Sequence, residues 1–262
     1  MSNEAIQMRG LGHAYRPGRW IFRDYNAAVR RGSIFALLGP NGCGKTTLLR
    51  ILLGVLPPTS GTVAIAGRTA FVPQLFQVSF DYTVLDMVLM GRARHVGLFA
   101  QPSRRDEEVA LEVLERFGIA DFAGHRFHEL SGGERQLVIF ARALAAEAEV
   151  LILDEPTSAL DLRNQVLVLD WIARLSHQDG LTVLFTTHHP HHALSVADNA
   201  LLMLGGEKFA QGKAGEVLTE ENLRALYGVD ICRLSFEHHG QRRDTLVPVL
   251  PHRGAAEQER SR

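Results

Sequence analysis

Apolar residues in this chain fall into two kinds of run. Residues 34–38 (IFALL), 150–153 (VLIL) and 181–185 (LTVLF) are apolar at nearly every position. Continuous runs of that length predict strands buried on both faces, as in a parallel sheet. Elsewhere apolar positions recur at i, i+3, i+4 and i+7. Leu48, Ile51, Leu52 and Val55 follow this spacing, as do Ala110, Val113, Leu114 and Phe117, and Leu137, Phe140, Ala141 and Leu144. That spacing predicts amphipathic helices, and strands alternating with helices predict an α/β fold. From about residue 75 to 147 the pattern is helical with no convincing strand, which predicts a helical subdomain inserted into the α/β core. Residues 206–262 read as short mixed elements, and the closing PHRGAAEQERSR is polar and expected to fray.

Composition changes this picture little. The chain has 262 residues, 46% hydrophobic and 22% charged, which suits one large α/β domain or a domain with a subdomain. A net charge of -1 leaves no basic footprint for nucleic acid at the level of the whole chain. Two cysteines, Cys43 and Cys232, make no disulfide framework, so a reducing cytoplasmic setting is expected. The opening Met1-Ser2-Asn3-Glu4 lacks a basic stretch followed by an apolar one, and no signal peptide is expected. The longest apolar stretches, such as residues 51–56, fall far short of the ~20 residues a spanning helix needs. Work at a membrane would require another chain to cross it.

Candidate chemistry begins directly after the first strand. Gly39-Pro40-Asn41-Gly42-Cys43-Gly44-Lys45-Thr46 matches G-x-x-x-x-G-K-[ST], between a predicted strand and a predicted helix. Glycines let the backbone curl so that successive N–H groups face one anion, and the helix N-terminus adds its positive dipole end. Lys45 would supply a point charge to the β- and γ-phosphates, and Thr46 a hydroxyl to Mg²⁺. The plain alternative, a glycine-rich turn that binds nothing, does not account for the strand before and the helix after. The strand at 150–153 ends in Asp154 and Glu155. Ligands bind at the carboxyl ends of parallel strands. Asp154 would hold Mg²⁺ through water and Glu155 would polarise an attacking water as general base, the alternative being an ordinary solvated strand end.

Leu130-Ser131-Gly132-Gly133-Glu134-Arg135-Gln136 contains a capping box, Ser131 with Glu134, that starts a helix. Lying between the two motifs above, the string resembles the signature of ABC ATPases. The resemblance extends from about Ile6 to Leu250. Tyr15 matches the aromatic residue that stacks on adenine. Gln74, in Phe71-Val72-Pro73-Gln74, matches the glutamine that touches Mg²⁺ and joins the two subdomains. Ser158-Ala159-Leu160-Asp161 matches the D-loop, and His188 the switch histidine facing the γ-phosphate. Seven motifs in order are specific where any single one would not be.

The resemblance implies a P-loop NTPase with a RecA-like core over residues 1–74 and 149–205, a helical signature subdomain over 75–148, and a C-terminal extension over 206–262. It implies ATP and Mg²⁺ as ligands, with Tyr15, residues 39–47 including Thr47, and Gln74 around the nucleotide, Thr46, Gln74 and Asp154 about the metal, and Lys45, Glu155 and His188 in catalysis. Ser131, Gly132, Gly133 and Glu134 would be presented to the nucleotide of a second copy, with Ser158 and Asp161 beside it. Two copies would sandwich two ATPs head to tail. The implied partners are two copies of a permease subunit and, indirectly, a substrate-binding protein, with this chain peripheral on the cytoplasmic face of the membrane.

Three local features carry further expectations. Cys43, inside the phosphate loop near a helix N-terminus, is expected to have a lowered pKa, with alkylation blocking nucleotide binding. His188-His189-Pro190-His191-His192 has the composition of a metal cluster, but one catalytic histidine with solvated neighbours is the expectation. Residues 82–102 (YTVLDMVLMGRARHVGLFAQP) read as an apolar helix and loop, with Val96, Leu98 and Phe99 as a docking surface for the permease.

Single-cassette length with no heptads between Gln74 and Ser131 argues against the DNA-repair and translation branches of the family. An exporter subunit remains the alternative to an importer subunit. TVLDMVLMGRARH with Asp106 is similar to the ATPases that drive iron-chelate, haem and cobalamin uptake with type II permeases. The short segment between Val63 and Gln74 is similar to zinc/manganese ATPases, and more to the molybdate/tungstate ATPase built on the metal-chelate plan.

Overall fold

The computed structural model describes residues 3–74, 80–97, 100–158 and 160–250. The chain opens with a long antiparallel pair, β1 (Glu4–Arg16) and β2 (Arg19–Arg30), and continues through β3 (Ile34–Leu38), α1 (Lys45–Leu52), β4 (Ser60–Ile65) and β5 (Thr69–Val72). A helical stretch follows, with α2 (Val84–Leu89), a 3-10 turn at Met90–Arg94, α3 (Arg104–Arg116) and α4 (Gly132–Ala145). The strand–helix alternation then resumes with β6 (Val150–Leu153), α5 (Leu162–His177), β7 (Thr182–Thr187), α6 (Pro190–Val196) and β8 (Asn199–Gly205). The chain closes with β9 (Lys208–Lys213), α7 (Ala214–Val217), α8 (Glu220–Tyr227), β10 (Ile231–His238) and β11 (Gln241–Pro248).

The main sheet has the order β5-β6-β7-β3-β8-β9, parallel except for β9, which pairs antiparallel with β8. A second sheet, β2-β1-β4, lies against it through a shared apolar layer. Successive side chains of a strand point to opposite faces. Phe35, Leu37, Ile152 and Leu184 accordingly join the core with α1 and the small sheet, whereas Ile34, Ala36, Leu38, Leu151, Leu153 and Val183 join the core that includes α4 and α5. Both faces are covered, which is why these strands read as unbroken apolar runs. Because β3, β6 and β7 are parallel, the loops leaving their carboxyl ends converge on one edge.

Residues 4–30, to which the sequence pattern assigned no element, are the longest strands among those described. β1 carries repeated register shifts, one of them between Met8 and Leu11 around Gly10 at φ +56°, and these interrupt the alternation that marks a strand. Helix α1 ends at Leu52, so Val55 lies beyond it and is 73% exposed. Gly54 at φ +70° turns the chain there. The expected boundary at 206 falls in the turn between β8 and β9. The expected fraying of residues 251–262 lies outside the described residues.

The helical stretch is drawn together by a buried guanidinium. Arg92 donates from Nε to Asp106 Oδ1 at 3.0 Å and from Nη1 to the Ala145 carbonyl and Glu147 Oε1 at 2.9 and 2.7 Å. Asp106 also closes the capping box of α3 with Ser103. Those hydrogen bonds, and then Arg92, pull its pKa down to about 2. Beside Arg92 the backbones come close: a Cβ on Gly91 would sit 2.1 Å from the Arg142 carbonyl oxygen. Gly91→Ala is therefore expected to lower the unfolding free energy by about 1–3 kcal/mol, read from the midpoint of a urea titration at unchanged m-value.

Candidate active site

The turn from β3 into α1 is made by glycines in conformations other residues avoid, Gly42 at φ +81° and Gly44 at φ +108°. A Cβ on Gly44 would lie 2.4 Å from Ile21 Cγ2. Gly39 faces the same constraint against Cys43 Sγ, also at 2.4 Å. The loop curls over Lys45, whose Nζ donates to the Gly39 carbonyl at 2.8 Å and the Pro40 carbonyl at 3.4 Å. It also pairs with Glu155 Oε1 at 3.2 Å, both side chains being more than nine-tenths buried.

Asp154 and Glu155 leave the end of β6 side by side. Thr186, in β7, holds both: its hydroxyl donates to Asp154 Oδ1 at 2.7 Å and accepts from the Glu155 N–H at 2.8 Å. Thr46 Oγ1 lies 3.5 Å from Asp154 Oδ2. Burial pushes the Asp154 carboxyl above the usual range, with Thr186 opposing. Glu155 sits at φ +44°, a region that costs energy outside glycine and is held here by its neighbours. Its second oxygen meets His188 Nδ1 at 3.0 Å and Gln74 Nε2 at 3.4 Å. Gln74 also donates to Ser158 Oγ at 3.2 Å. Thr186 was not singled out from the sequence. Its only signal was a threonine pair at the end of a buried strand, just ahead of His188.

The structure brings Gly42, Gly44, Lys45, Thr46, Thr47, Asn41, Gln74, Glu155, Ser158 and His188 around one cleft of about 560 Å³, within the range of small-ligand sites. Tyr15 stands near it, 57% exposed, its hydroxyl 3.0 Å from Thr47 Oγ1 and its ring edge-on to His13. Ser131, Gly132, Gly133 and Glu134 are not among the lining residues of that cleft. Ser131 caps α4 with the Glu134 side chain bonded back to its N–H at 2.8 Å, and the Ser131 hydrogen bonds hold the Glu134 carboxyl below its usual range. Asp161 caps α5 through the Asn164 N–H at 2.8 Å; Ala159 lies outside the described residues.

Two local expectations change. The Cys43 thiol is pushed up, not down: burial dominates over Lys45 and the loop N–H groups. His192 is buried, with Nδ1 3.1 Å from Thr157 Oγ1, and burial and its histidine neighbours push it down to about 3. Among the described residues no three histidine, cysteine or carboxylate groups are arranged to hold a metal ion.

A glycine loop between a parallel strand and a helix, with a lysine under it and paired acids on the neighbouring strand, defines a P-loop nucleoside triphosphatase. The chain belongs to the ABC transporter family, whose profile matches residues 22–158, and it is an ATP-binding ATPase of that family. It is 41% identical over 243 residues to the molybdate import ATP-binding protein MolC of Haemophilus influenzae, covering 93% of this chain and 94% of that protein. It is 36% identical to a Helicobacter pylori protein named for iron chelatin transport, covering 85% and 92%. A solved inward-facing structure of a metal-chelate type ABC transporter superposes with a TM-score of 0.91 at 40% identity, covering 95% of this chain and 98% of that one. No helix of the described residues is long and apolar enough to cross a membrane, and the chain's importer ATPase relatives act with transmembrane permease subunits.

A thiol with a raised pKa is protonated at neutral pH and a poor nucleophile. Cys43 is expected to be alkylated by iodoacetamide at pH 7.5 more slowly than an unstructured cysteine peptide, with the rate climbing above pH 9. Mass spectrometry of the Cys43 peptide measures it, and a rate above the peptide's at pH 7.5 would contradict the burial argument.

Proposed function

We propose that this chain is the ATP-hydrolysing subunit of a type II importer that takes up molybdate or tungstate, with metal chelates as the second cargo class. The observation that carries the hydrolytic part is the meeting of Lys45, Glu155 and His188 beneath the phosphate loop. The cargo part rests on the likeness to MolC along nearly the full length of both chains.

In this reading the N–H groups of residues 39–47 and the Lys45 ammonium cradle the phosphates, and Tyr15 stacks on the adenine. Glu155 accepts the proton of the attacking water, and His188, bonded to the same carboxylate, orients it and faces the γ-phosphate. The oxygen donors Thr46, Gln74 and Asp154 suit a hard divalent cation, and the 3.5 Å between Thr46 Oγ1 and Asp154 Oδ2 fits groups gathered at one ion. Mg²⁺ bound there would neutralise charge on the phosphates. Ser131–Glu134, a capped helix start outside the cleft, serves the γ-phosphate of a second copy, with Ser158 and Asp161 of the D-loop at that junction.

The division into a core (1–74 and 149–205), a helical subdomain (75–148) and a C-terminal extension (206–262) is part of the proposal. The helical part offers a mostly apolar cleft of about 510 Å³ lined by Tyr82, Leu89, Met90, Ala93, Val96 and Pro102, among others. That supports docking of one permease subunit there, two in the two-copy assembly, on the cytoplasmic face of the membrane, with a substrate-binding protein delivering cargo on the other side. Leu98 and Phe99, expected at this surface, lie outside the described residues.

Glu155→Gln is expected to cut ATP hydrolysis by about 10²–10³-fold while leaving ATP bound. Gel filtration of that variant with Mg-ATP should show a dimer, and a monomer at all ATP concentrations would remove the two-copy mechanism. A strain lacking the gene, grown with limiting trace metals, should lose molybdenum or tungsten selectively by mass spectrometry. Loss of iron or cobalt instead would move the cargo to the chelate class, and no change in any metal would overturn the importer reading.

A further inference from the structure

The two glycines of the signature turn have different surroundings. A Cβ on Gly132 would meet only Leu160 Cδ2, at an ordinary 3.9 Å. A Cβ on the buried Gly133 would lie 2.2 Å from Oδ1, 2.4 Å from Cγ and 2.7 Å from Nδ2 of Asn164. The Asn164 amide thus occupies the space that a side chain on Gly133 would need. Asn164 stands in the first turn of α5, and among the described residues its side-chain amide makes no hydrogen bond, so it acts on Gly133 by contact. The next residue, Gln165, donates from Nε2 to the Leu160 carbonyl at 3.0 Å and the Thr157 carbonyl at 3.4 Å. The loop so clamped contains Ser158, which Gln74 ties to the Glu155 carboxylate.

We propose that Asn164 is a positioning residue that locks the signature turn to the D-loop within one chain. Through it, the turn offered to the partner's nucleotide is seated against the loop that adjoins the chain's own Glu155. The amide packed on Gly133 ties the start of α4 to the first turn of α5, so a shift of either helix start is carried to the other through this contact. The inference rests on the two-copy reading above.

The test is a double-mutant cycle in the full-length chain. Gly133→Ala should lower kcat by about tenfold or more with KM for ATP within about twofold, because the phosphate loop is untouched. Asn164→Ala should lower kcat by about three- to tenfold with KM again preserved. In the double variant the colliding atoms are gone, so kcat should recover by about fivefold or more over Gly133→Ala alone. A double variant no better than Gly133→Ala would overturn the proposal, since the glycine would then serve the partner's phosphate and not Asn164. A fall in Asn164→Ala that appears equally in ATP affinity and melting temperature would reduce the residue to a structural role and overturn it as well. Failure of the two-copy reading is seen separately, as a monomeric Glu155→Gln. In that event a melting temperature of the double variant restored above that of Gly133→Ala would still report the contact itself.

Discussion

The organising interaction is a buried ion pair at the carboxyl ends of two parallel strands. Lys45 follows β3 and Glu155 follows β6, and their side chains meet at 3.2 Å with almost no exposure. Burying both charges costs several kcal/mol of desolvation, repaid only by close geometry and further hydrogen bonds. Those bonds are present: the Gly39 and Pro40 carbonyls on the ammonium, His188 and Gln74 on the carboxylate. A pair held this closely requires β3, β7 and β6 to be adjacent and parallel, and Gly44 to turn the chain at φ +108°. The fold around it can be understood as whatever keeps those strand ends in register.

Thr186 shows how the sheet serves the chemistry. Parallel pairing of β6 with β7 places Thr186 next to the strand end, where one hydroxyl bonds Asp154 and the Glu155 N–H. That dual bond secures Glu155 in its positive-φ conformation and turns its side chain toward Lys45 and His188. The positive φ is local strain at the residue proposed as the general base, maintained by surroundings that over-determine it. At the edge of the cleft Gln74 bonds Ser158, Gln165 bonds the Thr157 and Leu160 carbonyls on either side of it, and the neighbouring Asn164 packs on Gly133 at the start of α4.

Much of this was legible beforehand. Runs such as IFALL and VLIL name buried strands because no position is spared for solvent, and GPNGCGKT, DE and LSGGE each demand a residue type for a stated physical reason. The small sheet was not legible, because the bulges of β1 break the period on which strand recognition depends. Cys43 was misread for a related reason. Proximity to a helix N-terminus is visible in the sequence, but the burial that outweighs it is not.

The sequence by itself determined the class of chemistry, the order of the motifs and the alternation of strand and helix, since these depend on residue type and spacing along the chain. Only the tertiary structure decided which atoms meet. It paired Lys45 with Glu155, gave Thr186 two acidic neighbours, raised the Cys43 thiol by burial and set Asn164 against Gly133. Each of these joins elements distant in the chain, and the strength of each depends on solvent exclusion and on distances of a few ångströms. Neither quantity exists until the strands have chosen their neighbours.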